Sequence, residues 1–322
     1  FIDIQVMKLS TDLYKLIINI MKIVIAGGNG YLGKLLVNEF KKEKENIIYI
    51  LTRTQQVNID NVHFLCWDGV SKGYWTQFLE GADVLINLAG TSVNCSYTVK
   101  NKKAIYQSRI ESTSLLCKVV QSLKHPPKVF IQTSSATIYK HSEKKLMKEK
   151  DGDIGADFSM DVCKKWEAVF NAYRFPKTKK IITRTAIVLG NKGGAFPLMK
   201  RMAKFGLGGR QGKGSQFISW VTERDYVRAI KFLINKEEGI YNLCVPNPIR
   251  NVDFQKKLRR KLGVYFYVNL PYWLLKIGAI VMRTETELLL KSRKVFPEKL
   301  LQQGFQFEEG QIDNFYANTF KK

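Results

Sequence analysis

Short apolar runs alternate along the chain with longer stretches in which apolar positions recur every three or four residues. The short runs suit buried parallel strands, and the longer stretches suit helices that cover them. The pattern predicts strands at 22–26, 47–52, 62–66, 83–89, 128–134 and 180–188, with helices at 31–42, 74–80, 98–123 and 160–174. Such alternation predicts an α/β fold built on a doubly wound parallel sheet. Beyond Gly190 glycines accumulate, at Gly193-Gly194 and through 206–214, which predicts a loop and lid around a substrate cleft. A helix at 225–234 and a strand at 240–244 follow. Pro246 to Pro248 then leads into a helix at 251–262, a strand at 264–269, a helical region from Pro271 and a final run ending near Phe320. The reading is a main domain over 21–245, with its cleft loop at 190–220, and a smaller C-terminal α+β substrate domain over 246–322. Residues 1–20 precede a start-like Met21-Lys22 and carry Asp3, Lys8, Asp12 and Lys15 among their apolar positions. They lack a signal-peptide core and are read as an N-terminal extension outside the fold.

The sharpest signal is the first turn from strand to helix, where Lys22-Ile-Val-Ile-Ala runs into Gly27-Gly-Asn-Gly30-Tyr-Leu-Gly33. It reads as a dinucleotide site. Gly27 allows the tight turn, Gly30 lets backbone amides approach a pyrophosphate, and Gly33 lets the helix pack on the strand. Glycine punctuates any turn, so the context decides. A second apolar run, Ile47 to Leu51, ends in Thr52-Arg53, where the next strand of such a unit meets the ribose. An acidic residue there would favour NAD(H); Arg53 offers a fixed cation to a 2′-phosphate and favours NADP(H). Ligands of open α/β sheets lie beyond the carboxyl ends of the strands. That brings in Asp68, as acceptor for an adenine amino group, and Asn87-Leu88-Ala89-Gly90, whose small residues let a cofactor lie against backbone.

Composition narrows this picture without redirecting it. The 322 residues, 45% of them apolar, suffice for a full core and a second domain. An excess of 52 Lys and Arg over 28 Asp and Glu, net +24, raises nucleic acid or an anionic membrane surface as partners. The basic clusters at 100–103, 144–150, 177–180 and 256–261 scatter over unlike elements without a nucleic-acid motif, and read as lysine-rich surface. The five cysteines are odd in number and widely spaced, as in a reducing, cytoplasmic setting. His63, His125 and His141 have no ligand spacing, so no metal is expected. The longest apolar stretches, such as 273–282 with Lys276 inside, fall short of the roughly 18 residues that span a bilayer.

Gly27-x-x-Gly-x-x-Gly33, Asn87-Leu-Ala-Gly90, Ser134-Ser-Ala-Thr-Ile-Tyr139 and Trp220-Val-x-x-x-Asp225, in this order, resemble the extended short-chain dehydrogenase/reductase superfamily in its NAD(P)-dependent epimerase/dehydratase branch. Further motifs narrow the likeness: Gln107-Ser-Arg109, Cys163-Lys-Lys-Trp-Glu167, Arg184-Thr-x-Ile-Val-Leu-Gly190 and Gly206-Leu-Gly-Gly209. With Pro246-Asn-Pro-Ile-Arg-Asn251 and Phe296-Pro-Glu-Lys-Leu-Leu-x-x-Gly-Phe305, they resemble the "epimerase family protein" subgroup, which ends in a small domain of unassigned role. The resemblance covers Met21 to the C-terminus and implies a Rossmann fold with NADP(H), NAD(H) being the weaker expectation. It implies that Gly27, Asn29, Gly30, Tyr31, Leu32, Arg53, Asp68, Leu88, Ala89 and Gly90 line the cofactor, beside the packing glycine Gly33. It also implies a homodimer through the long helices at 98–123 and 160–174.

The superfamily's chemistry needs a Ser or Thr on the substrate oxygen, a Tyr acid/base, and a Lys four residues later whose charge lowers the Tyr pKa. Ser135 matches the first. Counting back from Trp166-Glu167 places Ser159 and Cys163 at the other two, and neither can do that chemistry. Two substitutes are open: Tyr139, four residues after Ser135, and Cys163 as a thiol whose pKa falls below about 8.5 in an electropositive site. Each has a packing role as its alternative. Arg109 stands where related enzymes carry Asn; an anionic substrate, the cofactor phosphates and a surface ion pair are its candidate partners. Trp220 and Asp225 read as architectural, and Arg210 and Lys213 as groups that close on a phosphate-bearing substrate, with plain mobility of so glycine-rich a loop as the alternative. Two functions stay open. One is an oxidoreductase or epimerase (an isomerase) acting on an unidentified small carbonyl or sugar-nucleotide-like molecule, with Ser135 orienting the oxygen. The other is an NADP(H)-binding redox sensor that lost catalysis with the Tyr-x-x-x-Lys pair. The retained cleft elements favour the enzyme; a nucleic-acid role rests on charge alone.

Overall fold

The computed structural model describes residues 20–281, 285 and 290–321. The expected extension over 1–20 therefore lies, but for Ile20, outside the described residues. In chain order the strands are β1 (Lys22–Ala26), β2 (Ile47–Thr52), β3 (Val62–Cys66), β4 (Val84–Asn87), β5 (Val129–Ser135), β6 (Lys179–Thr185), β7 (Ile187–Leu189), β8 (Phe217–Ile218), β9 (Trp220–Thr222), β10 (Gly239–Leu243) and β11 (Ile249–Arg250). The helices are α1 (Tyr31–Phe40), α2 (Val99–Ser122), α3 (Phe158–Asn171), α4 (Phe196–Lys204), α5 (Glu223–Ile234), α6 (Asn251–Leu262), α7 (Tyr272–Val281), α8 (Glu298–Gln302) and α9 (Ile312–Thr319). A seven-stranded parallel sheet runs β10-β6-β5-β4-β1-β2-β3, the expected doubly wound arrangement. Ile25 of β1 pairs with Ile50 on one side and Ile86 on the other. β-Branched side chains suit a strand covered on both faces, and Ile23, Val24 and Ile25 are fully buried. Strand order reverses at β1, between β2 and β4, so the ends of β1 and β4 form the switch point where α/β sheets take ligands.

Contacts along the chain cluster into two compact units. The first comprises residues up to Ala89 with 111–132 and 173–180; it holds β1 to β4 and α1. The second comprises 90–110, 133–172 and 181–322, and holds α3 to α9. One core of the second unit joins Leu189, Phe196, Trp220, Phe254, Phe315 and Tyr316, so residues from both sides of position 245 share it.

Three elements differ from the sequence pattern. The run 180–188 divides, because after Ala186 N donates to Leu243 O (3.1 Å) the chain leaves the sheet and β7 pairs with β9. Within the glycine-rich cleft loop stands α4, started by Pro197 in its first turn and held by buried Phe196, Met199 and Ala203. No strand forms over 264–269. Within it Val268 N donates to Gly206 O (2.8 Å), and just beyond it Leu270 makes an isolated parallel bridge to Gln211, while Tyr265 and Phe266 stay exposed.

Candidate functional site

The glycine turn lies within the first unit. Gly27 has φ 77°, and a Cβ there would sit 3.0 Å from the Leu88 carbonyl and 3.1 Å from Ala89 N. Both its backbone conformation and the approach of the β4 end therefore require glycine. Gly27 N donates to Leu51 O (3.0 Å) and Leu88 N to Ala26 O (2.9 Å), pinning the turn between the ends of β2 and β4. Asn87 orders the β4 end: it is fully buried, donates to Thr113 Oγ1 (3.0 Å) and Gln132 Oε1 (2.9 Å), and accepts from Ala89 N (3.0 Å). At Gly33 a Cβ would lie 2.5 Å from Gly28 Cα, so α1 packs on the turn only without a side chain there.

Gly30 is different. The nearest atom to an added Cβ is Gly27 O at 3.4 Å, so the space beside it is open. As N-cap of α1 it places no side-chain bond over the first turn, which carries no acidic residue and begins with half-buried Tyr31 and Leu32. A helix start so left can take an anion, and the arrangement fits a pyrophosphate. Asn29 Nδ2 donates to Thr52 Oγ1 (2.7 Å) and ties the turn to the β2 end, where Arg53 is exposed and makes no ion pair among the described residues. Asp68 is exposed, and its Oδ1 accepts from the amides of Val70 and Ser71 at 2.8 Å each. Those amide bonds, Ser71 first, hold its carboxyl below the usual range.

Within the second unit, β5 ends in two serines with different surroundings. Ser134 is buried and donates to Glu167 Oε1 (2.6 Å). Arg184 grips the same carboxylate through Nε to Oε1 (3.0 Å) and Nη2 to Oε2 (2.8 Å), with the two side chains 8% and 7% exposed. Burial opposes the Arg184 charge, and the bonds to Glu167 more than reverse it. Arg184 Nη1 also donates to the Tyr139 hydroxyl (2.9 Å), which donates to Asn242 Oδ1 (2.8 Å). Ser135 is half-buried. Its Oγ accepts from Thr137 N (3.2 Å) and Thr137 Oγ1 (2.9 Å), leaving its own proton only a long contact to Thr185 O (3.4 Å).

Two candidates require correction. Tyr139 is fully buried in a cluster with Ile138, Met147 and Val295, and its hydroxyl is committed to Arg184 and Asn242. Burial pushes its pKa up, so it is a packing and network residue without access to substrate. Cys163 belongs to the same cluster. Burial pushes its thiol up, and neither the Thr137 hydrogen bond nor the charges of Arg109 and Arg293 reverse this, so the condition for a reactive thiolate is not met. Ser159, one turn earlier on α3, is buried too. Thiol labelling of the native protein checks the assignment: exposed Cys66 and partly exposed Cys95 are expected to react quickly, and Cys117, Cys163 and Cys244 only on unfolding. A third fast thiol would reopen Cys163.

Arg109 is not a simple surface ion pair. Its guanidinium lies 5.2 Å over the Trp166 ring, and a Cβ at Gly90 would meet it at 3.0 Å. Asp225 is architectural, accepting the Glu308 and Glu309 amides at 3.0 and 2.9 Å. Missing from the sequence reading were the Ser134–Glu167–Arg184 network and the Thr137 support of Ser135. Helical spacing carried one signal, since Glu167 shares the face of Cys163, Trp166 and Phe170, all buried. Among the described residues no three His, Cys, Asp or Glu come together to hold a metal ion, and no helix is long and apolar enough to cross a membrane.

The model of the NAD dependent epimerase/dehydratase family matches residues 23–160, and a domain of unknown function (DUF1731) matches 270–316. Epimerase family protein MW0731 of Staphylococcus aureus (strain MW2) is 33% identical over 302 residues, covering 93% of this chain and 99% of the relative. Among solved structures, human epimerase family protein SDR39U1 (isoform 2) with NADPH superposes with a TM-score of 0.81 at 23% identity, covering 92% of this chain and 98% of that one. The nucleoside-diphosphate sugar epimerase from Corynebacterium glutamicum gives 0.73 at 24% identity, covering 92% and 57%.

Proposed function

The chain belongs to the NAD-dependent epimerase/dehydratase family, and from that premise we propose that it is an NADP(H)-binding oxidoreductase or epimerase acting on a small carbonyl or sugar-nucleotide-like molecule. The observation that carries this is the open, uncapped helix start at Gly30, tied through Asn29 and Thr52 to exposed Arg53. The likeness to a human relative solved with NADPH supports it. In this reading Gly27, Asn29, Gly30, Tyr31, Leu32 and Gly33 form the pyrophosphate turn, and Arg53 pairs with the 2′-phosphate. Asp68 accepts from the adenine amino group, and Leu88, Ala89 and Gly90 provide a backbone wall. The bound nicotinamide supplies or accepts hydride. Ser135, oriented by Thr137, donates to the substrate oxygen. The five free cysteines accord with a reducing, cytoplasmic setting.

A second reading, a redox sensor, is favoured by the burial of Ser159 and Cys163 where the superfamily's acid/base pair would stand. Fluorescence titration with NADPH and NADH decides the first step. NADPH is expected to bind more tightly, and Arg53→Ala to weaken it on the order of tenfold while sparing NADH, the scale of a charge-assisted bond. Equal binding of both nucleotides by wild type and variant would remove the Arg53 role. A carbonyl-substrate screen follows: turnover lost in Ser135→Ala identifies the enzyme, and tight NADPH binding without turnover favours the sensor.

A further inference from the structure

In the second unit α4 and α6 share a core and end beside each other. The last turn of α4 carries Arg201 and Lys204, and that of α6 carries Arg260 and Lys261, all four exposed. Just beyond each end, aromatic side chains stand in solvent: Phe205 after α4 is 77% exposed, and Tyr265 and Phe266 after α6 are 91% and 77% exposed. A Cβ at Gly206 would lie 3.3 Å from Phe266 Cδ1, and Val268 N donates to Gly206 O (2.8 Å), so the two tips touch. From there the chain enters α7, where exposed Trp273, Ile277 and Ile280 are spaced to share one face. Lys276 stands on the same helix with its Nζ 4.8 Å from the centre of the Tyr272 ring.

The charge of this surface is one-sided. Neither 196–222 nor 254–281 contains an Asp or Glu. Arg201, Lys204, Arg260, Lys261 and Lys276 make no salt bridge among the described residues. Cations suit helix C-termini without any partner, but that does not account for large apolar side chains held in water beside them. Apolar groups rimmed by polar ones mark a contact surface. The mixture of side chains selects among anionic partners. Nucleic-acid bases would stack on the rings, but Ile277 and Ile280 offer them nothing. At a bilayer surface, aromatic rings sit at headgroup level, aliphatic side chains reach the acyl boundary, and Lys and Arg meet anionic headgroups.

We propose that this face docks the protein on the surface of an anionic lipid bilayer, with Phe205, Tyr265, Phe266 and Trp273 at headgroup level and Lys204, Lys261 and Lys276 on the lipid phosphates. The contact is peripheral, since α7 has 10 residues and a spanning helix needs about 20. None of these residues belongs to the glycine turn or the β5 end, so the proposal goes beyond the reading of those sites.

The tryptophans supply a probe, because Trp67, Trp75, Trp166 and Trp220 are buried and Trp273 is 63% exposed. The full chain is mixed with vesicles of phosphatidylcholine alone and of equimolar phosphatidylcholine and phosphatidylglycerol. Sedimentation measures bound protein, and tryptophan emission is read on the same samples. Binding to the anionic vesicles is expected to be at least about tenfold tighter than to the neutral ones and to weaken with salt. Emission is expected to move to shorter wavelength and to be quenched by bromine-labelled acyl chains, both changes being lost in Trp273→Phe. Lys204→Glu with Lys261→Glu, and separately Phe205→Ser with Phe266→Ser, are each expected to weaken binding at least about tenfold while NADPH binding and Tm stay as in wild type. Lys44→Glu with Lys124→Glu makes the same change of net charge at exposed positions of the first unit, and is expected to weaken binding less than about twofold. No binding of wild type to anionic vesicles, equal loss in the two charge-reversal variants, or unchanged binding in the double serine variant would each overturn the proposal. So would an oligomer in vesicle-free solution that the double serine variant dissociates, since a second copy would then cover the face.

Discussion

Glu167→Gln is expected to lower the stability of the protein by about 3–5 kcal/mol, the range for removing one partner of a buried ion pair. The substitution keeps volume and shape and removes only the charge. Arg184, with its side chain 8% exposed, would be left charged in an apolar setting, and the new amide would turn N–H donors toward guanidinium donors. The effect extends beyond the pair. Ser134 loses a charged acceptor, and Tyr139 shares its hydroxyl with the same guanidinium, so the end of β5 that presents Ser135 loosens. Urea unfolding of wild type and variant measures the loss, and turnover or ligand response reports on Ser135. The double variant Glu167→Leu with Arg184→Met is the control, expected to be more stable than Glu167→Gln because an apolar pair needs no compensation. A single-variant loss below about 1 kcal/mol would mean that water or local movement solvates Arg184, contrary to a closed network.

What the sequence made legible follows from how local each constraint is. β1, β2 and β3 match their expected spans, because strands buried on both faces read as continuous apolar runs. α6 matches over 251–262, and Gly263 ends it with φ 68°, a left-handed stop that glycine supplies. Gly27 and Gly33 were readable because nearby backbone forbids any side chain. The apolar run at 180–188 could not show where the chain would leave one sheet for another pairing. Tyr265 and Tyr267 alternate as in a strand, yet their alternation faces a cavity and solvent rather than a sheet neighbour. The two roles open for Tyr139 could not be separated from sequence because the position after β5 follows no periodicity, and its burial is fixed by residues as distant as Asn242 and Val295. Ser135 stands in a motif, whereas the Glu167–Arg184 pairing depends on how α3 and β6 pack.

The glycine turn supplies the other large effect, and two substitutions separate what the fold needs from what a ligand needs. Gly33→Ala is expected to weaken NADPH binding more than 100-fold and to lower stability by about 1–3 kcal/mol, the scale of overpacking. Its Cβ would stand 2.5 Å from Gly28 backbone atoms, so α1 must move off the turn and take its leading amides with it. Gly30→Ala meets no such obstacle. The residue has φ −70° and ψ 170°, which alanine adopts freely, and the nearest neighbour of the new methyl is 3.4 Å away. Its stability is expected to stay within about 0.5 kcal/mol of wild type, as for substitutions without a steric conflict. NADPH binding by the same variant is nevertheless expected to fall at least tenfold, because the methyl would occupy the approach to the helix start. Thermal unfolding and NADPH titration on both variants read the two quantities independently. Should Gly30→Ala bind NADPH as wild type does, the pyrophosphate does not pass over Gly30, and the turn's glycines serve only the packing of α1 on β1.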